Sequence, residues 1–336
     1  MVLEHGGNLR QASIHYNIPI NNWLDLSTGI NPNGWKVPLI PATTWSSLPE
    51  DHDGLEAIAC EYYNTEQLLP IAGSQAAIQI LPMLRRPCHV GVLHPSYGEH
   101  EHAWKRNGHH VTHVTCDNID TMLPELNVLI IINPNNPTGA YFTLEKLLSW
   151  HKQLSKRNGW LIIDEAFIDT TPQLSLASHN PKSGLIILRS FGKFFGLAGI
   201  RLGFICAQPQ LLAQLSAHLG PWATSNPARW IGMTALQDTS WHQTARQNLI
   251  KDSSRLQTLL NQNNLTPTGS CPLFQWVSTA QAKHIHAQLA QQGIWSRLFS
   301  APLSLPFGLP ENESDWQRLD TALKHISKLH FTETDG

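Results

Sequence analysis

Residues 190–203 read SFGKFFGLAGIRLG. Lys193 follows Ser190 by three positions and precedes Arg201 by eight; every other residue between Phe191 and Gly203 is small or apolar. Glycines at 192, 196, 199 and 203 let the backbone pass close to another group. The run LIILRS (185–190) leads in and GFICA (203–207) leads out. Both are continuously apolar, as strands are when helices cover both faces of a sheet. A lone lysine reads as solvated. A lysine and an arginine on one small-residue loop between two buried strands raise the question of what they hold.

Working outward, VGVLHP (90–95), VLIIINP (128–134) and WLIID (160–164) also read as buried strands. LEKLLSWHKQLSKRNG (144–159) spaces its apolar residues as a helix and stops at Gly159. This alternation predicts an α/β domain with a mostly parallel sheet over about residues 42–235. A long helical stretch beginning PARWIGMTALQ leads out of it. Beyond, LFQWVS, AKHIHAQLAQQG, IWSRLF, SLPFGL and DWQRLDTALKHISKLH read as strand, helix, strand, strand, helix. They predict a smaller α+β domain over residues 236–336, joined by an N-terminal arm, residues 1–41. The closing TETDG reads as frayed.

The bulk properties exclude several classes. The 336 residues are 41% hydrophobic, enough for a large domain plus a smaller one. A net charge of −2 gives no footprint for nucleic acid or an anionic membrane surface. No apolar run reaches the length of a membrane span, and the opening MVLEHGGNLRQ has no signal-peptide apolar region. The five cysteines (60, 88, 116, 206 and 271) are odd in number, scattered and form no CxxC, which predicts reduced thiols in a cytoplasm. The densest histidine stretch, HEHAWKRNGHHVTH (100–113), has no HExxH or carboxylate-framed spacing. It reads as a solvated helix and turn, and no metal site is expected.

In open α/β sheets, ligands sit at the carboxyl ends of the strands. Those ends are rich in chemistry here. VLIIINP runs into NNPTG (135–139), WLIID ends on Asp164, LIILRS ends on Ser190, and VGVLHP runs into Ser96-Tyr97. Upstream, PIAGSQAAIQILP (70–82) is a glycine-serine turn opening a helix. Singly, each has a plain structural reading: Asp164 as a helix cap, NPTG as a turn. Together they fit one task. Lys193 can condense with an aldehyde. Asp164 can hold a pyridine nitrogen protonated. The helix end at Gly73-Ser74-Gln75, with Ser190 and Arg201, can bind a phosphate dianion. An asparagine can donate to a phenolate, and an aromatic can stack on a ring. That set describes pyridoxal 5′-phosphate (PLP).

The combination NPNNPTG, DEAF, SFGKFFGLAGIRLG and AGSQAAI resembles the fold-type I PLP enzymes of the aminotransferase superfamily, over nearly the whole chain. The resemblance implies Lys193 as the Schiff-base lysine and Asp164 as partner of the pyridinium nitrogen. It implies Asn136 at the ring hydroxyl, Tyr97 as the stacking aromatic, and Ser74, Gln75, Ser190 and Arg201 as the phosphate cup. It also implies a homodimer with the active site at the interface.

Within that superfamily, HGGNLRQASIHYNIPINNWLDLSTGINPNGW (5–35) resembles the opening of the threonine-phosphate decarboxylases of cobalamin biosynthesis. These are relatives of histidinol-phosphate aminotransferase. The reaction this implies removes CO₂ from L-threonine O-3-phosphate and gives (R)-1-aminopropan-2-yl phosphate. His5 is then a candidate for the substrate phosphate, or else a capping or surface histidine. Arg297 is the best remaining cation near the expected substrate end, or else a surface arginine. Gly29 either offers a backbone amide to the substrate or makes a turn.

Two positions depart from the family pattern. Where the family places a carboxylate-gripping arginine, the stretch LPFGLP (305–310) has Pro306, and residues 300–310 contain no arginine. Where many relatives place a tyrosine reaching the cofactor phosphate of the other subunit, the chain has Leu48. The alternatives are an aminotransferase of the histidinol-phosphate type, or a PLP-binding partner of the cobinamide-phosphate synthase.

Overall fold

The computed structural model describes residues 5–333. The chain divides into two compact units. The larger holds Gly34–Asn136 and Ala140–Thr244; the smaller holds the residues up to Asn33, Pro137–Gly139 and those from Ala245 on. Most of TETDG lies outside the described residues.

The larger unit is built on a seven-stranded sheet. Its strands are β2 (Leu69–Ile71), β3 (His89–Leu93), β4 (His110–Val114), β5 (Val128–Ile132), β6 (Trp160–Asp164), β7 (Leu185–Ser190) and β8 (Gly203–Cys206). Their order is β2-β8-β7-β6-β5-β3-β4. Strands β3 to β7 run parallel, β8 is antiparallel to β7, and β2 is antiparallel to β8. The helices named below are α3 (Leu55–Tyr63), α4 (Ser74–Ile80), α5 (Gly98–Arg106), α7 (Leu144–Ser155) and α9 (Asn226–Gln237), with α1 (Leu9–Tyr16), α2 (Thr43–Ser46), α6 (Ile119–Met122) and α8 (Pro209–Leu219) completing the series to that point. Every residue of β5 is buried, which is why its sequence is unbroken Val, Leu and Ile. Each such side chain contributes about 1.5–3 kcal/mol on leaving water. Helix α7 starts where Thr143 accepts the Lys146 N–H, and it buries Leu147, Trp150 and Leu154 on one face.

The histidine-rich stretch differs from its reading as a solvated helix and turn. Its first part belongs to α5, where His100, Ala103 and Trp104 are buried; its last part is β4, an edge strand of the sheet. The exposed His110 and His113 give β4 a polar look that hides the strand. Among the described residues no group of three or more His, Cys, Asp or Glu could hold a metal ion, and no helix is long and apolar enough to cross a membrane.

The smaller unit has a two-stranded parallel pair, β1 (Leu24–Asp25) with β11 (Ile294–Trp295). It also has an antiparallel sheet in the order β12-β13-β10-β9. These strands are β9 (Gly269–Cys271), β10 (Phe274–Ser278), β12 (Phe299–Ser300) and β13 (Leu303–Gly308). Helix α10 (Thr239–Gln262) starts in the larger unit and continues into the smaller, which also holds α11 (Ala282–Gln291) and α12 (Glu313–Glu333).

Pro306 lies in β13, opposite Trp276 of β10. Thr279 N donates to Leu303 O, and Gly308 N donates to Leu26 O. Ladder bonds alternate along an antiparallel pair, so the even-numbered N–H positions of β13 point away from β10. Strand β12 covers β13 only at Leu303 and Ser304. A proline at 306 therefore removes no hydrogen bond between β10 and β13.

Candidate active site

The carboxyl ends of β3, β5, β6 and β7 lie side by side at one edge of the parallel sheet. Asp164, the last residue of β6, is 3% exposed. Its Oδ2 lies 2.9 Å from His100 Nε2, and its Oδ1 accepts the Ala166 N–H at 3.0 Å. A carboxylate oxygen only accepts, so the imidazole nitrogen is the donor. Both oxygens are oriented, and the acid cannot swing.

His100 is a residue that motif reading passes over. The signal was its spacing: three residues after Tyr97 and four before Trp104, it shares their face of α5. The Tyr97 and His100 rings meet edge to face with centroids 6.4 Å apart. Tyr97 Oη donates to Gln75 Oε1 at 3.4 Å, and Gln75 Nε2 donates to Glu99 Oε2 at 2.7 Å. The Gln75 side chain thus holds Tyr97 and Glu99 in place.

The Lys193 loop rests on aromatic rings. Phe191 and Phe195 stack with centroids 4.0 Å apart and planes 2° from parallel; Trp241 stacks on Phe195 at 5.5 Å. Lys193 Nζ lies 5.5 Å from the centroid of the Phe167 ring, in the DEAF turn after Asp164. A Cβ on Gly192 would meet Ala198 Cα at 2.8 Å, so the loop folds back on itself only with glycine there.

At the other end of the loop, Arg201 has a left-handed backbone (φ 54°), and its guanidinium lies against Gly73. A Cβ on Gly73 would meet Arg201 Nη2 at 2.6 Å. Gly73 (φ 74°) precedes the first turn of α4, and no side chain caps that end. Ser190 pairs with Gly203, whose own missing Cβ leaves room for Ser74 N. A guanidinium and an uncapped helix start thus meet where glycine is required, and Ser190 is the strand partner of Gly203 beside them. That is the chemistry of a phosphate cradle. Asn136 is half-buried in the turn after β5, while Asn133 and Asn135 fix the turn. Asn133 Oδ1 accepts the Phe142 N–H at 2.8 Å, and Asn135 Nδ2 donates to Pro95 O at 2.9 Å. Amine, oriented acid and phosphate cradle fit PLP.

His5, Gly29 and Arg297 lie in the smaller unit. Gly7 N donates to Ser27 Oγ at 2.7 Å, Ser27 Oγ to Asp25 Oδ1 at 2.6 Å, and Trp295 Nε1 to Gly7 O at 2.7 Å. These bonds tie the HGG segment to the turn that carries Gly29. That turn touches the end of β13, since a Cβ on Gly308 would meet Thr28 O at 2.4 Å. His5 is exposed. Arg297 is half-buried, with its guanidinium 4.4 Å from the centroid of Phe299.

The family model of the class I and II aminotransferases matches residues 43–323, and the chain belongs to that family. Over 96% of its length it is 50% identical to the threonine-phosphate decarboxylase of Pseudomonas aeruginosa, covering 97% of that protein. It is 37% identical to the threonine-phosphate decarboxylase of a Sinorhizobium species, over 96% of this chain and 98% of the relative. Among solved structures, the histidinol-phosphate aminotransferase of Sinorhizobium meliloti in complex with pyridoxal-5′-phosphate superposes with a TM-score of 0.84 at 18% identity, over 97% of this chain and 98% of that one. The L-threonine-O-3-phosphate decarboxylase of Porphyromonas gingivalis gives 0.73 at 17%, over 97% and 98%.

Proposed function

We propose that the protein is a PLP-dependent carboxy-lyase. It releases CO₂ from L-threonine O-3-phosphate and yields (R)-1-aminopropan-2-yl phosphate for cobalamin biosynthesis. The observation that carries this reading is the 50% identity with a threonine-phosphate decarboxylase over 96% of the chain. When bound, PLP supplies a ring that takes up the electron pair left as the Cα–carboxylate bond breaks.

The chain's residues supply the rest. Lys193 would hold the cofactor aldehyde, and its amine or the substrate phosphate would return a proton to Cα. Asp164, oriented by His100, keeps the ring nitrogen protonated. Tyr97 packs on the ring, and Asn136 donates to its hydroxyl. Ser74, Gln75, Ser190 and Arg201 hold the cofactor phosphate, Gln75 through its backbone and its grip on Tyr97. His5, Gly29 and Arg297 are the residues of the smaller unit assigned to substrate.

The protein acts as a cytoplasmic homodimer. Val37, Leu39, Trp45 and Leu48 are between 42% and 96% exposed, an apolar surface suited to a second copy. The cobinamide-phosphate synthase, which uses the amine, is the candidate partner.

The test mixes PLP-loaded protein with L-threonine O-3-phosphate and follows CO₂ and the amine by mass spectrometry. Stoichiometric CO₂ and aminopropanyl phosphate without added oxo acid are expected, and Lys193→Ala abolishes both. Substrate binding without CO₂, or turnover that requires 2-oxoglutarate, would sink the proposal.

A further inference from the structure

Behind Asp164 and Ser190, on the opposite face of the sheet, sits a sealed cluster of charges. Register puts Asp164 opposite Leu188, and the Glu165 N–H donates to Leu188 O. Side chains alternate along a strand, so Asp164 and Ser190 share one face, and Glu165 and Arg189 share the other. Arg189 is 1% exposed, and Glu165 and Asp169 are 0% exposed. Arg189 Nη1 donates to Glu165 Oε2 at 2.7 Å and to Ser175 Oγ at 3.0 Å, and Nη2 donates to Asp169 Oδ1. The guanidinium carbon lies 4.3 Å from the centroid of Tyr63, and Tyr62 Oη donates to Asp169 Oδ1 at 3.3 Å. Glu165 also accepts from Leu176 N at 2.7 Å and Ser175 Oγ at 2.5 Å.

These bonds join three things: the end of β6, the end of β7, and the turn from Glu165 to Thr170 that carries Phe167 beneath Lys193. Stability alone does not account for the cluster, because apolar side chains of similar volume often replace buried ion clusters at no cost. We infer that Arg189, acting through Glu165 and Asp169, is a positioning residue for the cofactor site. It sets the spacing of Asp164, Ser190 and the Lys193–Phe167 pair from the reverse side of the sheet. The inference rests on the reading of Asp164, Ser190 and Lys193 as PLP residues.

The test uses the full-length protein, Arg189→Lys, and a neutral triple variant, Glu165→Gln/Asp169→Asn/Arg189→Met. Thermal midpoint, PLP affinity and the pH midpoint of the bound cofactor's visible absorption are measured on each. Both variants are expected to melt within about 5 °C of wild type. Both should bind PLP about 10-fold or more weakly. At saturating PLP the absorption midpoint should move by about half a pH unit or more, because Asp164 no longer sits at its original distance from the ring nitrogen. Wild-type affinity and midpoint in either folded variant overturn the inference. If the triple variant fails to fold, Arg189→Lys decides alone; if that variant also unfolds, the cluster is structural and the inference is overturned. Failure of the wild-type protein to bind PLP would instead count against the functional reading.

Discussion

His100 Nε2 and Asp164 Oδ2 lie 2.9 Å apart, with side chains 1% and 5% exposed. A buried carboxylate that loses its donor keeps the desolvation cost, about 1–3 kcal/mol. His100→Leu should therefore weaken PLP binding and lower turnover about 10-fold each. His100→Asn, which restores a donor, should recover part of both. Cofactor titration and initial rates check this, and equal activity in the leucine variant would remove His100 from the site's account.

Gly73 is the second test, because two constraints meet there. Its φ is 74°, and a Cβ would stand 2.6 Å from Arg201 Nη2. Gly73→Ala should cost about 1 kcal/mol from backbone strain. It should also push the guanidinium aside, so PLP affinity falls further than stability does. Thermal melts with and without PLP separate the two effects.

Pro306 makes a sharper prediction about chemistry. A carboxylate held tightly is harder to expel. Pro306→Arg should strengthen substrate binding while leaving turnover unchanged or lower, read as a fall in KM without a rise in kcat. A large gain in kcat would mean the proline is a damaging change. Position 306 makes no ladder bond to β10 in either case, but it is buried, so the arginine should cost some stability, and thermal melts beside the kinetics separate that cost from the effect on KM and kcat.

The Arg229 cluster of the larger unit sets a pH dependence. Arg229 Nε and Nη2 donate to Asp53 Oδ2 and Oδ1 at 2.7 and 2.6 Å, and Nη2 also donates to Glu56. Burial pushes the Asp53 carboxyl up, but hydrogen bonds from Arg229 and the Leu55 N–H together pull it below its ordinary value. A carboxyl lowered in the folded state stabilises fully above its unfolded pKa, and that contribution is lost as pH falls through the folded value. Asp53→Asn should cost about 1 kcal/mol at pH 7, where the pair is partly solvated. The difference from wild type should shrink below about pH 4. Denaturant melts at pH 7 and pH 3 test this, and a constant difference would contradict it.

Much of the sheet was legible because burial writes itself into composition. WLIID and LIILRS coincide with β6 and β7 to the residue, since both faces of these strands are covered. Strand β2 was not legible: three residues, Leu-Pro-Ile, carry no period, and their pairing is fixed by β8, far along the chain. The two-residue strand Leu24–Asp25 is hidden for the same reason, whereas its partner Ile294–Trp295 falls inside IWSRLF, which reads as a strand. At the site, spacing exposed the residues that stand on turns, such as Lys193 and Arg201. It concealed His100, whose role depends on which way one face of α5 points, and Glu165, which reads as part of a motif until its strand partner Arg189 is known.

The outer row of β13 has a consequence for the accounting of donors in the interior. Strand β12 covers that row at Leu303 and Ser304, and Leu26 takes up Gly308; Pro306, between them, is buried. Any other residue at 306 would bring into the interior an N–H that faces away from β10 and needs a partner, and a buried donor left unpaired costs about 1–3 kcal/mol. The pyrrolidine ring has no N–H, so the strand closes without an orphaned donor.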